Sequence, residues 1–314
     1  MSAGIGLVLN PTAGHGRGAR ARDGVLAALR ATGRPVVDLS GPDLATAAVR
    51  ARSGLGPGLA ALVVVGGDGM AHLGVNVVAG TGVPLGIVAL GSGNDVAREL
   101  GLPVHDPAAS VALISRALDA APGHVTRAVD AVAVGPPGQA PARWYLGVLS
   151  AGIDAAVNDR ANRLRWPRGG GRYVRGLLAE LARYAPYGYR VTMDGTAWEG
   201  PGTLVAVANL ASFGGGMRVV PGAVPDDGVL DVLIADGVSR TTLLRLFPRV
   251  YAGAHLSHPA VHVHRARRVL IEAAPAHGAT PPVTFADGER VGALPLECVV
   301  HPDAVRVLAR TLGA

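Results

Sequence analysis

Four short stretches carry residues whose types and spacing could do chemistry. Two are glycine-rich, Gly66-Gly67-Asp68-Gly69 and Gly91-Ser92-Gly93-Asn94-Asp95, and two are acidic turns, Asp226-Asp227-Gly228 and Asp287-Gly288-Glu289. Glycine lets backbone N–H groups come close to an anion, and a helix N-terminus favours negative charge. Two such loops at neighbouring strand ends would enclose one polyphosphate. An Asp-Asp-Gly turn offers the hard oxygen ligands that magnesium takes, completed by carbonyls and water. Read by itself, Asp-Gly is first of all a hairpin turn. Asp194-Gly195, with no acid following, reads as a plain turn.

The elements around the glycine loops fit that chemistry. Residues 60–65 and 85–90 are short, continuously apolar and rich in Val and Ile, as in strands buried on both faces of a parallel sheet. Each runs into its loop, and helical patterns follow at 70–78 and 95–100. Upstream, a strand at 4–9 ends in Asn10-Pro11-Thr12-Ala13-Gly14 before a helix at 17–30. A strand at 35–39 leads to Ser40 and a helix at 43–52, and a further helix covers 107–118. This alternation predicts an open α/β sheet with ligand at the carboxyl ends of its strands. After Pro122-Gly123 and Gly135-Pro136-Pro137-Gly138 strands dominate, at 125–134, 144–149, 189–193, 204–208, 229–234, 269–273, 283–286 and 296–300. Helical patterns interrupt at 154–164, 172–184 and 240–250. The second half therefore reads as an antiparallel sandwich.

Composition excludes several classes. All 29 basic residues are arginine, so neither the lysine of a P-loop nor the strand lysine of a protein kinase exists here. Phosphate must be held by backbone amides, arginine and metal. Three Phe and no aromatic–basic alternation argue against a nucleic-acid stacking platform. No apolar run approaches the roughly 20 residues that cross a bilayer, and residues 1–6 show no signal-peptide pattern. A cytoplasmic protein is expected. The net charge of +6 suits an acidic surface, the inner face of a membrane or nucleic acid, and equally reflects a composition rich in Arg, Ala and Gly with no such partner. The lone Cys298 reads as a packed strand residue. His255, His258, His262 and His264 cluster without a cysteine or second carboxylate, which favours structural roles over zinc. Arg160, Arg163, Arg165, Arg168, Arg172 and Arg175 form either a solvated helical face or a contact for anionic headgroups.

Gly66-Gly67-Asp68-Gly69, Pro84-Leu85-Gly86-Ile87 and Gly91-Ser92-Gly93-Asn94-Asp95-Val96-Ala97-Arg98 together resemble the catalytic domain of diacylglycerol, sphingosine and related lipid kinases. Their pattern is Gly-Gly-Asp-Gly-Thr, Pro-Leu-Gly, then Gly-Thr-Gly-Asn-Asp-Phe-Ala-Arg; NAD kinases are similar at the first loop only. Phe213-Gly214-Gly215-Gly216-Met217 and residues 225–231 resemble further signatures of the same family.

The resemblance implies an NAD-kinase-like, Rossmann-like nucleotide domain over 1–122, completed by a C-terminal strand at about 303–314. It implies a β-sandwich lipid-substrate domain over 123–302. ATP would be held by Asn10, Pro11, Ser40, Gly66, Gly67, Asp68, Gly69, Met70, Gly91, Ser92, Gly93, Asn94 and Asp95. Magnesium would sit on Asp227 with the main-chain oxygens of Val229 and Val224. Asp287 and Glu289 would supply the general base, across an interdomain cleft from the phosphates. The implied activity is transfer from ATP to the hydroxyl of diacylglycerol or a related lipid alcohol, and a homodimer is compatible with it. Three residues depart from the pattern: Met70 replaces Thr, Leu73 replaces Glu and Ser92 replaces Thr. They leave open a nucleotide-binding protein without turnover. An NAD-kinase-like transfer to a soluble hydroxyl is the other enzymatic reading.

Overall fold

The computed structural model describes residues 4–10, 17–120, 126–141, 143–164 and 171–309. Pro11, the Thr12-Ala13-Gly14 turn, Arg165 and Arg168 lie outside the described residues. The chain divides into two units, one of the residues up to Ala131 together with those from Pro302, the other Val132–His301.

The first unit is built on the apolar runs. Strands β1 (Gly4–Leu9), β2 (Val36–Asp38), β3 (Leu59–Gly66) and β4 (Leu85–Ala89) alternate with helices α1 (Arg17–Arg30), α2 (Leu44–Gly54) and α3 (Asp68–Val78). After β4 come α4 (Asp95–Glu99), α5 (Pro107–Asp119) and β5 (Thr126–Gly135). The strands pair in parallel in the order β4-β3-β1-β2, with Leu62 opposite Leu85 and Ile5 opposite Ala61 and Val36. Both faces are covered. Ile5, Leu7, Val63 and Val65 pack with Val25 and Leu29 of α1 and Val111 and Ile114 of α5. On the other face α3 lies so close that a Cβ on Gly74 would stand 2.7 Å from Leu85. Each Val or Leu so buried contributes roughly 1.5–3 kcal/mol. Asp43 and Asp106 cap α2 and α5 by accepting the amides of Thr46 (2.7 Å) and Ala109 (2.9 Å).

The second unit holds β6 (Arg143–Tyr145), β7 (Val148–Gly152), α6 (Ile153–Arg163), α7 (Gly171–Arg183), β8 (Tyr187–Met193) and β9 (Thr196–Ala208). It continues with β10 (Leu230–Asp236), α8 (Arg240–Val250), β11 (Val261–Ala266), β12 (Arg268–Ala273), β13 (Thr284–Ala286), β14 (Glu289–Gly292) and β15 (Leu296–Leu308). Pairing in this unit is antiparallel, in the run β14-β13-β7-β9-β8-β12-β15 with β10 and β11 joined at β9. The chain is thus an α/β unit and a β-sandwich-like unit.

Three elements differ from the sequence expectation. The strand expected at 144–149 is two strands, because the backbone of Leu146 and Gly147 leaves the ladder to meet Asp287 and Asn209. The strand expected at 204–208 begins at Thr196. Pro201, Gly200 and Gly202 hid that start, yet they are fitted here: Pro201 pairs with Gly188, and a Cβ on Gly202 would meet the Tyr189 ring at 2.8 Å. The strand expected at 296–300 and the C-terminal strand expected at about 303–314 are joined in one, β15, which continues through Asp303 in a left-handed conformation (φ 55°) and ends at Leu308. The Asp303 amide donates to the buried Asp130 at 3.0 Å. The last residues of β15 extend the parallel sheet, Val307 opposite Leu85.

Cys298 lies in the β15 core beside Tyr145, and burial pushes its thiol up to about 12. A thiol reagent should leave it unmodified in the native protein and label it only along the unfolding transition. Full labelling under native conditions would contradict this packing.

Candidate active site

In the α/β unit the glycine loops, Asn10 and Ser40 come together at the carboxyl ends of four adjacent parallel strands. Asn10 follows β1, Ser40 follows β2, Gly66-Gly67-Asp68 ends β3, and Gly91 to Asn94 follows β4. Ser40 is drawn to β1 by the Leu9 amide, which donates to its Oγ at 2.9 Å. The Asn10 amide reaches Val65 O at 3.4 Å, and the Leu90 amide reaches Gly66 O at 2.8 Å.

The two loops are in backbone contact. A Cβ on Gly91 would strike the Gly67 Cα and stand 2.9 Å from Asn94 Oδ1, while one on Gly67 would stand 3.0 Å from the Gly91 Cα. Asn94 closes the second loop on itself. Its Oδ1 accepts the Gly91 amide at 2.9 Å and its Nδ2 donates to Gly91 O at 2.8 Å, with the backbone left-handed at φ 56°. Asn and Gly tolerate that conformation best. Arg98, which sequence reasoning did not place in the site, braces the loop through Nε to Gly93 O at 3.0 Å.

Helix α3 starts at Asp68, two residues before the sequence pattern turns helical, so Gly67 is its N-cap. Asp68 therefore stands in the first turn, where a carboxylate is favoured by the helix dipole. Its Oδ1 accepts the Val96 amide at 3.3 Å, and its Oδ2 lies where a Cβ on Gly93 would come, at 2.7 Å. One carboxylate thus ties the first loop to the second. Met70 and Leu73 are 2% and 7% exposed, so these departures from the family pattern belong to the core side of α3. Asp95 is buried in the first turn of α4, and Ser92 is exposed.

The acidic turns belong to the β-rich unit. Asp287-Gly288 is the two-residue turn between β13 and β14, with φ of 51° and 81°. Positive φ at both positions matches the twist of a tight hairpin. The Asp287 carboxylate accepts the Leu146 amide on Oδ2 (3.1 Å) and the Gly147 amide on Oδ1 (2.9 Å). Asp194-Gly195 repeats the device at the β8–β9 turn: φ of 46° and 91°, with the Asp194 carboxylate accepting the amides of Arg267 (2.9 Å) and Arg268 (2.8 Å). What sets the Asp287 turn apart is Glu289, partly exposed and with no side-chain hydrogen bond among the described residues. Helix α6 steadies the turn, Asn158 Nδ2 donating to Gly288 O at 3.4 Å while Tyr173 Oη donates to Asn158 Oδ1 at 3.0 Å.

Asp227 accepts the Val229 amide on Oδ1 at 3.1 Å and pairs through Oδ2 with Arg265, whose Nε is 3.9 Å from Asp231. Burial raises the Asp231 carboxyl above its ordinary value, Arg265 pulls it down and Asp227 adds to the rise. As arranged, Arg265 supplies the positive charge at this turn, and each Asp227 oxygen already accepts one hydrogen bond. Val224 is exposed, and the Val229 amide serves Asp227. The histidines have separate partners. His255 is buried against Val219 O (2.9 Å), with its pKa lowered by burial, and His262 meets Asp236 (3.0 Å).

Known proteins share both halves. The model of the diacylglycerol kinase catalytic domain matches residues 5–134, and that of the YegS C-terminal NAD kinase beta sandwich-like domain matches residues 147–309. A diacylglycerol kinase of Mycobacterium tuberculosis is 38% identical over 305 residues, covering 95% of this chain and 93% of that protein. Two solved structures share the fold. A diacylglycerol kinase from Bacillus anthracis superposes with a TM-score of 0.71 at 19% identity, over 98% of this chain and 97% of that one. Yeast NADH kinase complexed with NADH gives 0.56 at 10% identity, over 99% and 84%.

The Arg265 pairing generates a prediction. Arg265→Gln removes the cation from two neighbouring carboxylates and should push Asp231 higher still. Added magnesium should then raise the melting temperature of the variant by several degrees while leaving the parent unmoved, because binding to the folded state stabilises it. An equal magnesium shift in both proteins would show that Arg265 does not fill the site.

Proposed function

The chain belongs to the diacylglycerol kinase family of lipid kinases, and on that premise we propose that it transfers the γ-phosphoryl group of ATP to the hydroxyl of diacylglycerol or a related lipid alcohol. The observation that carries the proposal is the locked pair of glycine loops at the ends of β3 and β4. With no lysine in the chain, an ATP polyphosphate must be met by backbone amides, arginine and metal, and two loops at adjacent strand ends with the first turn of α3 offer the amides.

The α/β unit is the nucleotide-binding domain in this reading and the β-rich unit the lipid-substrate domain. Asn10, Ser40 and the residues from Gly66 to Met70 and Gly91 to Asp95 bind nucleotide, the last group through backbone amides. Asp68 holds the loops in register as well as facing the nucleotide. The acceptor hydroxyl must lose its proton as the phosphoryl group arrives in line. The Asp287-Gly288-Glu289 turn supplies the acceptor of that proton. Two amides aim the Asp287 carboxylate, and Glu289 stands beside it. Magnesium, when it accompanies the nucleotide, neutralises phosphate charge; at Asp227 it would first have to displace Arg265.

Purified protein with labelled ATP, magnesium and a panel of lipid alcohols, with NAD as the soluble acceptor, is the test. Label in a lipid product is expected. Label in NAD alone would replace this reading with its soluble counterpart, and no transfer at all would remove it. In the same assay Asp287→Asn and Glu289→Gln should lower kcat, by roughly 10²–10⁴-fold for the residue that takes the proton, with little change in the KM for ATP. Asp287→Asn should also lose about 1–3 kcal/mol of stability, since one of the two amides it holds loses its acceptor. Less than a tenfold fall in kcat for both variants would clear the turn of the role.

A further inference from the structure

Helices α7 and α8 carry half of the large apolar side chains left exposed among the described residues: Tyr173, Val174, Leu178, Leu244 and Tyr251. Val174 and Leu178 lie one turn apart on α7, and Leu244, Pro248 and Tyr251 follow one stripe of α8. Each is about half exposed or more, Val174 at 60% and Leu178 at 59%. The adjoining faces are occupied. Leu177 of α7 and Leu243 of α8 pack on the small core of Ile153, Val157 and Tyr184, and Arg240 Nε donates to Tyr184 O at 3.1 Å. Both helices therefore cover one core and leave other faces exposed.

The charge on these faces has one sign. Arg183 on α7 and Arg245 and Arg249 on α8 are exposed. Helix α8 contains no acid, and Glu180, the acid of α7, is engaged with Arg160. No helix among the described residues is long and apolar enough to cross a membrane. An apolar stripe bordered by arginines, on helices too short to span, is the pattern of helices that lie in a membrane interface.

We propose that the outward faces of α7 and α8 dock on an anionic phospholipid bilayer. The inference rests on the reading that the acceptor is a lipid and names the surface by which the enzyme reaches it. Apolar side chains enter the headgroup boundary while the arginines meet lipid phosphates, each adding to an attraction that salt screens. A second copy of the chain fits this surface poorly, since it would set arginines against arginines. Tyr173, at the start of α7, is hydrogen-bonded to Asn158, which reaches Gly288 of the acidic turn, so the docking face and the proposed base share one bonded stretch of the unit.

The experiment sediments the full chain with vesicles of phosphatidylcholine alone or mixed with phosphatidylglycerol. It compares the parent with Leu178→Asp/Leu244→Asp and with Arg245→Gln/Arg249→Gln. Strong binding to the mixed vesicles is expected, falling with salt, and about tenfold weaker for each double variant. Turnover of diacylglycerol dispersed in non-ionic detergent should be unchanged in both, which shows that their fold survives. Equal binding of parent and variants would overturn the proposal. So would a dimer in sedimentation velocity that Leu178→Asp/Leu244→Asp breaks. Binding as expected with no phosphoryl transfer to any lipid would sink the lipid-kinase reading and leave the docking face standing. Transfer in detergent with no vesicle binding would do the reverse.

Discussion

Gly67 and Gly91 touch backbone to backbone, and the geometry of the two glycine loops proposed to hold phosphate depends on that contact. A methyl group at Gly91 would clash with the Gly67 Cα, so the strand ends of β3 and β4 approach this closely only because both residues lack a side chain. From the contact follow the neighbouring details. Asn94 takes a left-handed backbone to fold the second loop over Gly91, and Asp68 bridges to the Val96 amide. The β4–α4 turn then presents its amides beside those of α3. Glycine in these loops therefore does two things: it frees amides for an anion, and it sets the distance between the strands that carry them.

The β-rich unit relies on a different device. A carboxylate at a tight Asp-Gly hairpin turn gathers two backbone amides from a distant segment, at Asp194 and again at Asp287. At Asp287 the two amides are partly buried and would be costly without an acceptor, so that turn is pinned to the segment it serves. Since the two turns share this geometry, the Asp287 carboxylate has a structural duty whatever chemistry it performs. Glu289 has no counterpart at Asp194-Gly195, and it is the feature that turns a structural hairpin into a candidate for proton transfer.

Much of the α/β unit was legible because its strands are buried on both faces and its helices are amphipathic, so periodicity and glycine punctuation agree. The start of α3 was not, since Asp68-Gly69 reads as loop until Gly67 is seen to cap it. In the β-rich unit the apolar run 144–149 hid a break made by two distant residues, Asp287 and Asn209. Pro201 and its flanking glycines hid half of β9. Both were invisible for one reason: the deciding partner is far away in sequence, and local pattern carries no record of it. The same holds for Arg265, which is 38 residues from Asp227 and whose pairing changes what that acidic turn can hold.

The family supplies a kinase, and these residues specify how a chain without lysine performs as one. In the proposed reading phosphate contact falls to backbone amides around a glycine–glycine contact, while positive charge at the acidic turn comes from arginine. Backbone amide spectra of isotope-labelled protein during titration with ATP examine that claim most directly. The account predicts that amides of residues 66–70 and 91–96 move together and saturate at one affinity, while those of 225–231 stay in place. Shifts confined to residues outside the two glycine loops would contradict it.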